Sequence, residues 1–241
     1  IAISNFIYDH INKNYSFKKN PIQTIERGID LNFFDPKSIS KNDIKNAIKN
    51  YDLKEDSIKI LLPARVTEWK GHLILVDAVS QLLAKKVLNI EVLFFGPEQN
   101  KLLKEKIENS IRHKNLQHII KFYGPTNKMN LIYALSDIVI SSSTDPEAFG
   151  RVSIEAQAMG KLIIASAHGG SQETIIEGET GYLYSPKEPF ELMKKISSVI
   201  DQKTYCSNEM SASAIKHIKS HYGKDKMCKE TLEFYQEIIS Q

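Results

Sequence analysis

The feature that most constrains the fold is a regular alternation of short β-branched segments and longer segments with helical spacing. The sequence predicts strands at residues 1–4, 22–26, 58–63, 90–95, 119–122, 138–141 and 162–166. Between the later strands lie GHLILVDAVSQLLAKK, EQNKLLKEKIENSIRHK, NKMNLIYALS and FGRVSIEAQAMG, in which apolar residues recur at helical intervals. This alternation is typical of an α/β fold, a Rossmann-like doubly wound parallel sheet with helices on both faces.

Two regions depart from the alternation. The segment ERGIDLNFFDPKS contains Gly28, Pro36 and adjacent aromatic residues, which indicates a crossing between two structural units. We therefore interpret residues 1–27 as the remnant of a preceding domain with its crossover, and residues 28–241 as one domain. After Ser185 the pattern is helical to the end, which predicts extra C-terminal helices beside the sheet. The chain begins IAISNF without an initiator Met, which favours a fragment of a longer protein.

Composition excludes several functional classes. The formal charge is +3, and no block of like charge marks a nucleic-acid-binding arm or a polybasic anchor, so no nucleic-acid partner is expected. The longest apolar runs, IKILLPA and IEVLFFG, are far shorter than the ~20 residues of a membrane span. Cys206 and Cys228 fit no zinc spacing, which is the simple pattern of a reduced, cytoplasmic chain.

Charged and glycine-rich loops follow the predicted strands. The carboxyl ends of parallel strands meet at one edge of a sheet, so the loops PARVTEWKGH, FGPEQN, YGPT, STDPEAFGR and SAHGGSQE should lie together there. Arg65 and Lys70 flank the first of these turns, next to Gly71. Such residues taken singly are usually solvated surface charges, but in this combination they favour an anion site.

The stretch DPEAFGRVSIEAQAMG places Glu147 and Glu155 around a helix start, which the sequence predicts near Phe149 because Pro146 disfavours helix before it. If the run between the two glutamates is helical, their carboxylates lie roughly 12 Å apart, too far to share a proton or a compact metal site. That spacing fits a nucleotide sugar, with hydroxyls at both ends and phosphate at the helix N-terminus. Alternatively, Glu147 merely favours the helix start and Glu155 pairs with a neighbouring lysine.

Five segments together resemble a known family. RVTEWKG, FFGP, FYGPTNKMNLIYALSDIVISSS, PEAFGRVSIEAQAMGKLIIAS and GGSQETIIEGETGYLYSP are similar, in order and spacing, to the C-terminal donor-binding half of family-4 retaining glycosyltransferases of the GT-B fold. The similarity runs from about residue 22 to residue 190, and IAISNFIYDHINKNY resembles the last strand and helix of the family's N-terminal domain. The resemblance implies a retaining hexosyltransferase that requires neither a metal nor a cofactor.

The resemblance also implies roles for particular residues. Arg65 and Lys70 would grip the diphosphate of a nucleotide-sugar donor. Glu155 would hold the ribose hydroxyls, and Glu147 would be the catalytic residue, facing the transferred sugar. The other implied donor-binding residues are Phe149, Gly150 and Arg151 along the sugar and phosphate, and Gly96, Tyr123 and Gly124 beside the base. The loop histidine His168 receives no role.

The implied acceptor is a glycan or a lipid-linked sugar, and it would be held by an N-terminal acceptor domain that is missing from this chain. The chain alone is therefore expected to transfer no sugar. The resemblance implies a role in cell-envelope polysaccharide synthesis in the cytoplasm, with contact to the inner face of the membrane made through the missing domain.

Other functions compete with this interpretation. The chain could be the non-catalytic nucleotide-sugar-binding half of a split protein, or a nucleotide-sugar epimerase of the same fold. The triplet DPE at residues 145–147 is similar to the metal motif of the other major glycosyltransferase fold, but Arg65 and Lys70 make a metal unnecessary and Pro146 fits that motif poorly. The G-x-G-x-x-G of dinucleotide dehydrogenases and the G-x-x-x-x-G-K-[ST] of P-loop enzymes do not occur.

Overall fold

The computed structural model describes residues 1–15 and 21–240 of the 241-residue chain; residues 16–20 of the predicted domain remnant lie outside the described part, as does Gln241. The described residues contain a central sheet of six parallel strands. These are β1 (Ile58–Pro63), β2 (Ile90–Phe95), β3 (Ile120–Tyr123), β4 (Ile138–Ser141), β5 (Leu162–Ser166) and β6 (Tyr182–Tyr184). Their order, β3-β2-β1-β4-β5-β6, is that of the Rossmann fold, which confirms the predicted doubly wound parallel sheet.

Helices cover both faces of the sheet. They are α1 (Asn5–Asn14), α2 (Lys41–Asn50), α3 (His72–Lys85), α4 (Lys101–His113), α5 (Met129–Leu135), α6 (Arg151–Ala158), α7 (Ser171–Thr174), α8 (Pro189–Asp201), α9 (Asn208–His221) and α10 (Lys224–Ile239). The three long helices after Ser185 confirm the predicted helical C-terminal region. None of the helices in the described part of the chain has the length and hydropathy that a membrane crossing needs.

Successive strand residues enter two separate hydrophobic layers, because side chains alternate across a strand. Ile60 and Leu62 of β1 lie in a buried cluster with residues of α3, α4 and α8. Leu61, between them, lies in a second cluster with residues of α5, α6 and α9. Burial on both faces is why the central strands appear in the sequence as nearly continuous apolar runs rather than as alternating patterns.

The structure corrects four details of the predicted elements. Residues 1–4 and 22–26 do not form strands but one isolated parallel bridge, between Ala2 and Thr24. The first segment ends there because the side chain of Ser4 caps α1 by accepting from the backbone N–H of Ile7. The third strand of the sheet begins one residue later than predicted, at Ile120. The sequence prediction also missed the short strand β6 and the polar helix α2.

The connections of the sheet diverge between β1 and β4. The chain leaves β1 through α3 to reach β2 on one side, whereas it leaves β4 through α6 to reach β5 on the other side. Sheets of this kind open a crevice at the carboxyl ends of the two strands where the connections diverge, and ligands bind in that crevice. The loops after β1 and β4 are the two that the sequence analysis singled out for their charges and glycines.

Candidate functional site

A cleft of about 570 Å³ lies at this divergence point. Its walls come from the loops after β1 and β4, the first turn of α6 and the segment before residue 28. Seven of the ten residues singled out from the sequence line it together: Arg65, Lys70, Glu147, Phe149, Gly150, Arg151 and Glu155. Their proximity is a finding; the ligand contacts assigned to them remain predictions.

The loop after β1 is locked against the loop after β4. Gly71 has a φ of 68°, and a Cβ atom at this position would lie 1.7 Å from the carbonyl oxygen of Ser142, so only glycine fits here. The Ser142 hydroxyl donates to the carbonyl oxygens of Lys70 and Gly71, at 3.1 and 3.0 Å. The backbone N–H of Thr144 donates to the carbonyl of Trp69 at 2.8 Å. These bonds fix where the Lys70 side chain starts.

Lys70 and Glu147 form an ion pair inside the cleft. The Lys70 Nζ lies 2.5 Å from Glu147 Oε1, and each side chain is only 13% exposed. The hydroxyl of Ser143 donates to the same carboxylate oxygen, also at 2.5 Å. The other oxygen, Oε2, receives no hydrogen bond from the described residues. One oxygen of Glu147 is thus held in place while the other remains available.

The segment from Glu147 to Gly150 is not helical, which corrects the predicted helix start. The backbone of Glu147 forms a bridge with Gly169, and its carbonyl accepts from the N–H of Gly170 at 2.7 Å. Gly150 precedes α6 with a φ of 91°, a left-handed conformation that keeps the helix from extending toward Phe149. The 12 Å estimate, which assumed helix between the two glutamates, therefore does not apply.

The N-terminus of α6 opens into the cleft. No described side chain caps it, so N–H groups of its first turn lack the partner that a capping residue usually supplies. Backbone N–H groups at such a position carry a partial positive charge and suit an anion. The cleft residues Gly150 and Arg151 stand at this end of the helix.

Glu155 is held from two sides. Arg151 donates to its Oε1 and the hydroxyl of Tyr133 donates to its Oε2, both at 2.9 Å. Burial raises the pKa of Glu155 above its usual value, and the charge of Arg151 opposes that shift. Burial, together with the neighbouring Glu155 carboxylate, raises the pKa of Tyr133. The sequence analysis missed Tyr133, because in NKMNLIYALS it occupies what looks like an ordinary apolar helix position.

The cleft wall also contains residues to which the sequence analysis gave no role, among them Ile3, Arg27 and Trp69. The Lys70 Nζ lies 4.1 Å from the centroid of the Trp69 ring, a cation–π contact. Arg65 lies farther away, with its guanidinium carbon 6.0 Å from the same ring. The sequence TEWK predicts an anion site through its lysine, but nothing in its spacing indicates that the tryptophan flanks that lysine.

Gly96, Tyr123 and Gly124 do not line this cleft. Tyr123 stacks on Phe95 at 4.7 Å, donates to the carbonyl of Tyr51 and lines a different cavity, beside the edge strand β3. Gly96 packs against the backbone of Ala64, where a Cβ atom would lie 2.1 Å from the carbonyl oxygen. Gly124 is exposed. Their assignment to the base of a nucleotide stays a prediction.

The two acidic residues of the DPE triplet pair with different lysines. Glu147 pairs with Lys70, whereas Asp145 is exposed and lies 3.9 Å from Lys187. Among residues 1–15 and 21–240, no group of three or more His, Cys, Asp and Glu side chains is arranged to hold a metal ion. The triplet therefore does not gather its carboxylates into one ligand set.

Solved structures share this architecture. A glycosyltransferase from Rickettsia africae superposes with a TM-score of 0.92 and 33% identity, over 98% of this chain and 62% of that one. Anabaena HepE in complex with UDP-glucose superposes with a TM-score of 0.88 and 23% identity, over 98% of this chain and 63% of that one. The likeness to HepE shows a common fold.

Sequence relatives lead to the same group of proteins. Spore coat protein SA of Bacillus subtilis is 24% identical over 247 aligned residues, which cover 98% of this chain and 64% of the relative. The lipopolysaccharide 1,2-N-acetylglucosaminetransferase of Salmonella typhimurium is 28% identical over 179 residues, which cover 71% of this chain and 47% of the relative. The chain thus spans about half to two thirds of the length of these relatives.

The sequence profile of the family described as Glycosyl transferases group 1 matches residues 43–220, most of the chain. That region contains the loops after β1 and β4 and the whole sheet. Together with the strand order and the superpositions, the match establishes that the chain belongs to the group 1 glycosyltransferases and has their GT-B type of Rossmann-like fold.

Proposed function

We propose that this chain is the donor-binding half of a retaining glycosyltransferase, and that its cleft binds a nucleoside diphosphate sugar without a metal ion. The observation that carries the proposal is the convergence of two cationic side chains, Arg65 and Lys70, with the uncapped N-terminus of α6, between two carboxylates at Glu147 and Glu155. The proposal assigns a nucleoside diphosphate to the centre of the cleft and hydroxyl-bearing groups to its ends.

The diphosphate is assigned to the cationic part of the cleft. Arginine and lysine bind phosphate through charge-assisted hydrogen bonds, and the first N–H groups of a helix add further donors. Lys70 is held at its backbone by Ser142 and at its side chain by Glu147. A cation fixed in this way loses little conformational freedom when an anion binds, although its ion pair with Glu147 offsets part of its charge.

The two glutamates are assigned to hydroxyl groups. Glu147 keeps Oε2 without a bond to the described residues, and a carboxylate oxygen readily accepts from a sugar hydroxyl. Glu155 is positioned by Arg151 and Tyr133, and the second lone pair of each oxygen can still accept from the ribose. Among the relatives, Anabaena HepE has been solved with UDP and with UDP-glucose, which favours a donor of this class here too.

The chemistry assigned to these residues is mainly electrostatic. Departure of a nucleoside diphosphate leaves negative charge on the phosphate, and Lys70, Arg65 and the α6 N-terminus can stabilise it without a metal. Glu147 would orient the transferred hexose over the leaving phosphate. Retention of configuration and transfer of a hexose belong to the proposal, as does an acceptor of the glycan or lipid-linked class in a cell-envelope polysaccharide pathway.

We expect at least one of UDP, GDP and ADP to bind the chain in excess EDTA, because fixed cations replace the metal. Isothermal titration calorimetry measures this directly. Glu155→Ala should lower the affinity for the same nucleotide by about tenfold, because contacts to the ribose are lost. Absence of binding by all three nucleotides, or binding that appears only when a divalent cation is added, would contradict the proposal.

The acceptor is assigned to a separate domain, because this chain spans only about half to two thirds of the length of its relatives and its cleft is assigned to the donor. Transfer requires donor and acceptor to be held together in attack geometry. We therefore expect this chain alone to hydrolyse a sugar donor slowly but to transfer none. Donor turnover, measured with and without the upstream domain and with soluble and lipid-linked acceptors, tests this. Robust transfer by the chain alone, or an epimerised donor as product, would contradict the assignment.

A further inference from the structure

We propose that Arg27 is a third cation for the donor diphosphate, supplied to the cleft by the segment that precedes the donor domain. The inference rests on the proposed function and extends it to a residue that sequence reasoning overlooked. Arg27 lies outside residues 43–220, the region that the family profile matches, and the resemblance described in the sequence analysis assigned it no role. It nevertheless lines the same cleft as Arg65 and Lys70.

The chain uses arginine sparingly and concentrates it at this site. Its four arginines are outnumbered by 28 lysines. Three of the four arginines line the cleft, at positions 27, 65 and 151, compared with one lysine, Lys70. Arginine presents a planar fork of donors that matches phosphate oxygens in pairs, whereas lysine acts as a point charge. A composition this biased at one cleft is the pattern expected of a phosphate site.

The backbone around Arg27 is anchored on both sides, next to the loop that leads into α6. On one side, Ile25 donates to the carbonyl of Ala2, and the nearby Ser4 hydroxyl donates to the carbonyl of Ala148 at 2.6 Å. On the other side, Ile29 donates to the carbonyl of Tyr222, whose ring packs against the ring of Phe149.

Gly28 allows close packing of the backbone beside the Ile29–Tyr222 hydrogen bond. A Cβ atom there would lie 2.6 Å from the carbonyl oxygen of Gly223, so the chain passes in direct contact with the turn before α10. Arg27 is therefore carried by a segment whose two anchoring partners are close to residues that in turn contact Ala148 and Phe149. Arg27 lines the same cleft as Gly150 and Arg151 at the α6 N-terminus.

Among the described residues, Arg27 is also the one cation of the cleft whose side chain has no polar partner. Lys70 pairs with Glu147, Arg151 pairs with Glu155, and Arg65 reaches Gln99 at 3.4 Å. Within the described ranges, 1–15 and 21–240, no hydrogen bond or ion pair engages the Arg27 side chain. The charged residues of the wall are four cations and two carboxylates. The resulting formal excess of two positive charges complements a diphosphate diester, which carries about two negative charges.

The test uses this chain and whichever of UDP, GDP or ADP binds it, with calorimetry in excess EDTA. Arg27→Ala should lower the affinity for that nucleotide at least tenfold, because one charge-assisted contact to phosphate is lost. Arg27→Lys keeps the charge without the fork of donors, so a smaller loss is expected. The control is Lys219→Ala, which removes an exposed cation of α9 that lies outside both this cleft and the cavity beside β3. It should leave the affinity unchanged.

Three results separate the possible failures. If the unaltered chain binds none of the three nucleotides, the proposed function fails and the role of Arg27 fails with it. If the chain binds a nucleotide and Arg65→Ala lowers the affinity, while the affinity of Arg27→Ala stays within twofold of that of the unaltered chain, only the inference on Arg27 is overturned. Circular dichroism melting of each variant identifies a loss of folding, and Arg27→Lys then provides the affinity comparison.

Discussion

Replacing Lys70 with alanine is expected to weaken nucleoside diphosphate binding by about 100-fold, near the upper end of what one charge-assisted hydrogen bond contributes, ~3 kcal/mol. The size follows from the ion pair with Glu147. Both side chains are largely buried, so Lys70→Ala removes a cation from the phosphates and also leaves the Glu147 carboxylate uncompensated beside them. The phosphates of the proposed ligand would then lose the attraction of the Lys70 ammonium and be repelled by the Glu147 carboxylate.

Glu147→Gln should behave in the opposite way toward free nucleoside diphosphate. It keeps the shape of the side chain but removes the negative charge that occupies Lys70, so the affinity for UDP, GDP or ADP should stay equal or rise. Affinity for the sugar conjugate should fall, because Glu147 is assigned to the hexose. Comparing the nucleotide with its sugar conjugate by calorimetry separates the two roles.

Two further variants serve as a control and as a test of the unpaired carboxylate. Lys187→Ala breaks the loose, exposed pair with Asp145 in the same part of the fold, and it should change neither affinity nor stability appreciably. Lys70→Ala combined with Glu147→Gln removes the unpaired carboxylate and should recover part of the loss. Equal losses of free nucleotide affinity in Lys70→Ala and Glu147→Gln would show that the phosphate and sugar roles are wrongly assigned.

The fold was accessible from sequence because four of its strands, β1, β2, β4 and β5, are buried on both faces. Such strands leave continuous apolar runs that alternate with amphipathic helices. The missed elements lack this signal. The strand β6 has three residues, and α2 buries only Ala47. The capping box of Ser40 and Asp43 was the available indication of α2.

The site was only partly accessible, since its residues come from distant parts of the chain. Parallel-strand topology predicts that the loops after β1 and β4 meet, so Lys70 and Glu147 are expected at the same site. It does not predict that the two side chains bond directly across 77 positions. Nor does any spacing reveal that Tyr133 supports Glu155, because a tyrosine on an apolar helix face is usually a core residue.

The predicted helix start near Phe149 was wrong for a local reason. The sequence predicts a start near Phe149 because Pro146 disfavours helix before it, but Gly150 adopts a left-handed conformation that excludes the preceding residues from α6. The glycine is required there: a Cβ atom would lie 3.0 Å from the Ser171 hydroxyl, and the φ of 91° strains any other residue. Whether a glycine ends a helix or merely allows close approach depends on such tertiary contacts.

Acidification is expected to destabilise the protein through His72, the first residue of α3. The ring is 2% exposed, and neither nitrogen has a hydrogen-bond partner in the described part of the chain. It packs edge-on against Phe94 at 5.1 Å and stacks on Phe122 at 6.3 Å. Burial, assisted by the charge of Lys70, lowers the pKa of His72 from 6.5 to about 4. The helix N-terminus also disfavours a cation at this position.

The sign of the effect follows from proton binding. The folded pKa of His72 lies below the unfolded value, so between these values the unfolded chain binds more protons. The neutral form of His72 therefore makes its full contribution to the free energy of unfolding above pH 6.5, and this contribution is lost as the pH falls toward 4. A displacement of this size corresponds to about 3 kcal/mol, a large part of the stability of a typical domain.

His72→Phe isolates this contribution, because phenylalanine fills the aromatic site but binds no proton. Between about pH 7 and about pH 4, urea denaturation should show the unaltered chain losing about 3 kcal/mol more than His72→Phe. Other titrating groups, including His217, whose pKa is also lowered by burial, are common to both chains and cancel. His113→Phe, at an exposed histidine of α4, should leave the pH dependence of the unaltered chain in place. Parallel pH profiles for the unaltered chain and His72→Phe would mean that His72 is protonated or solvated in the folded protein.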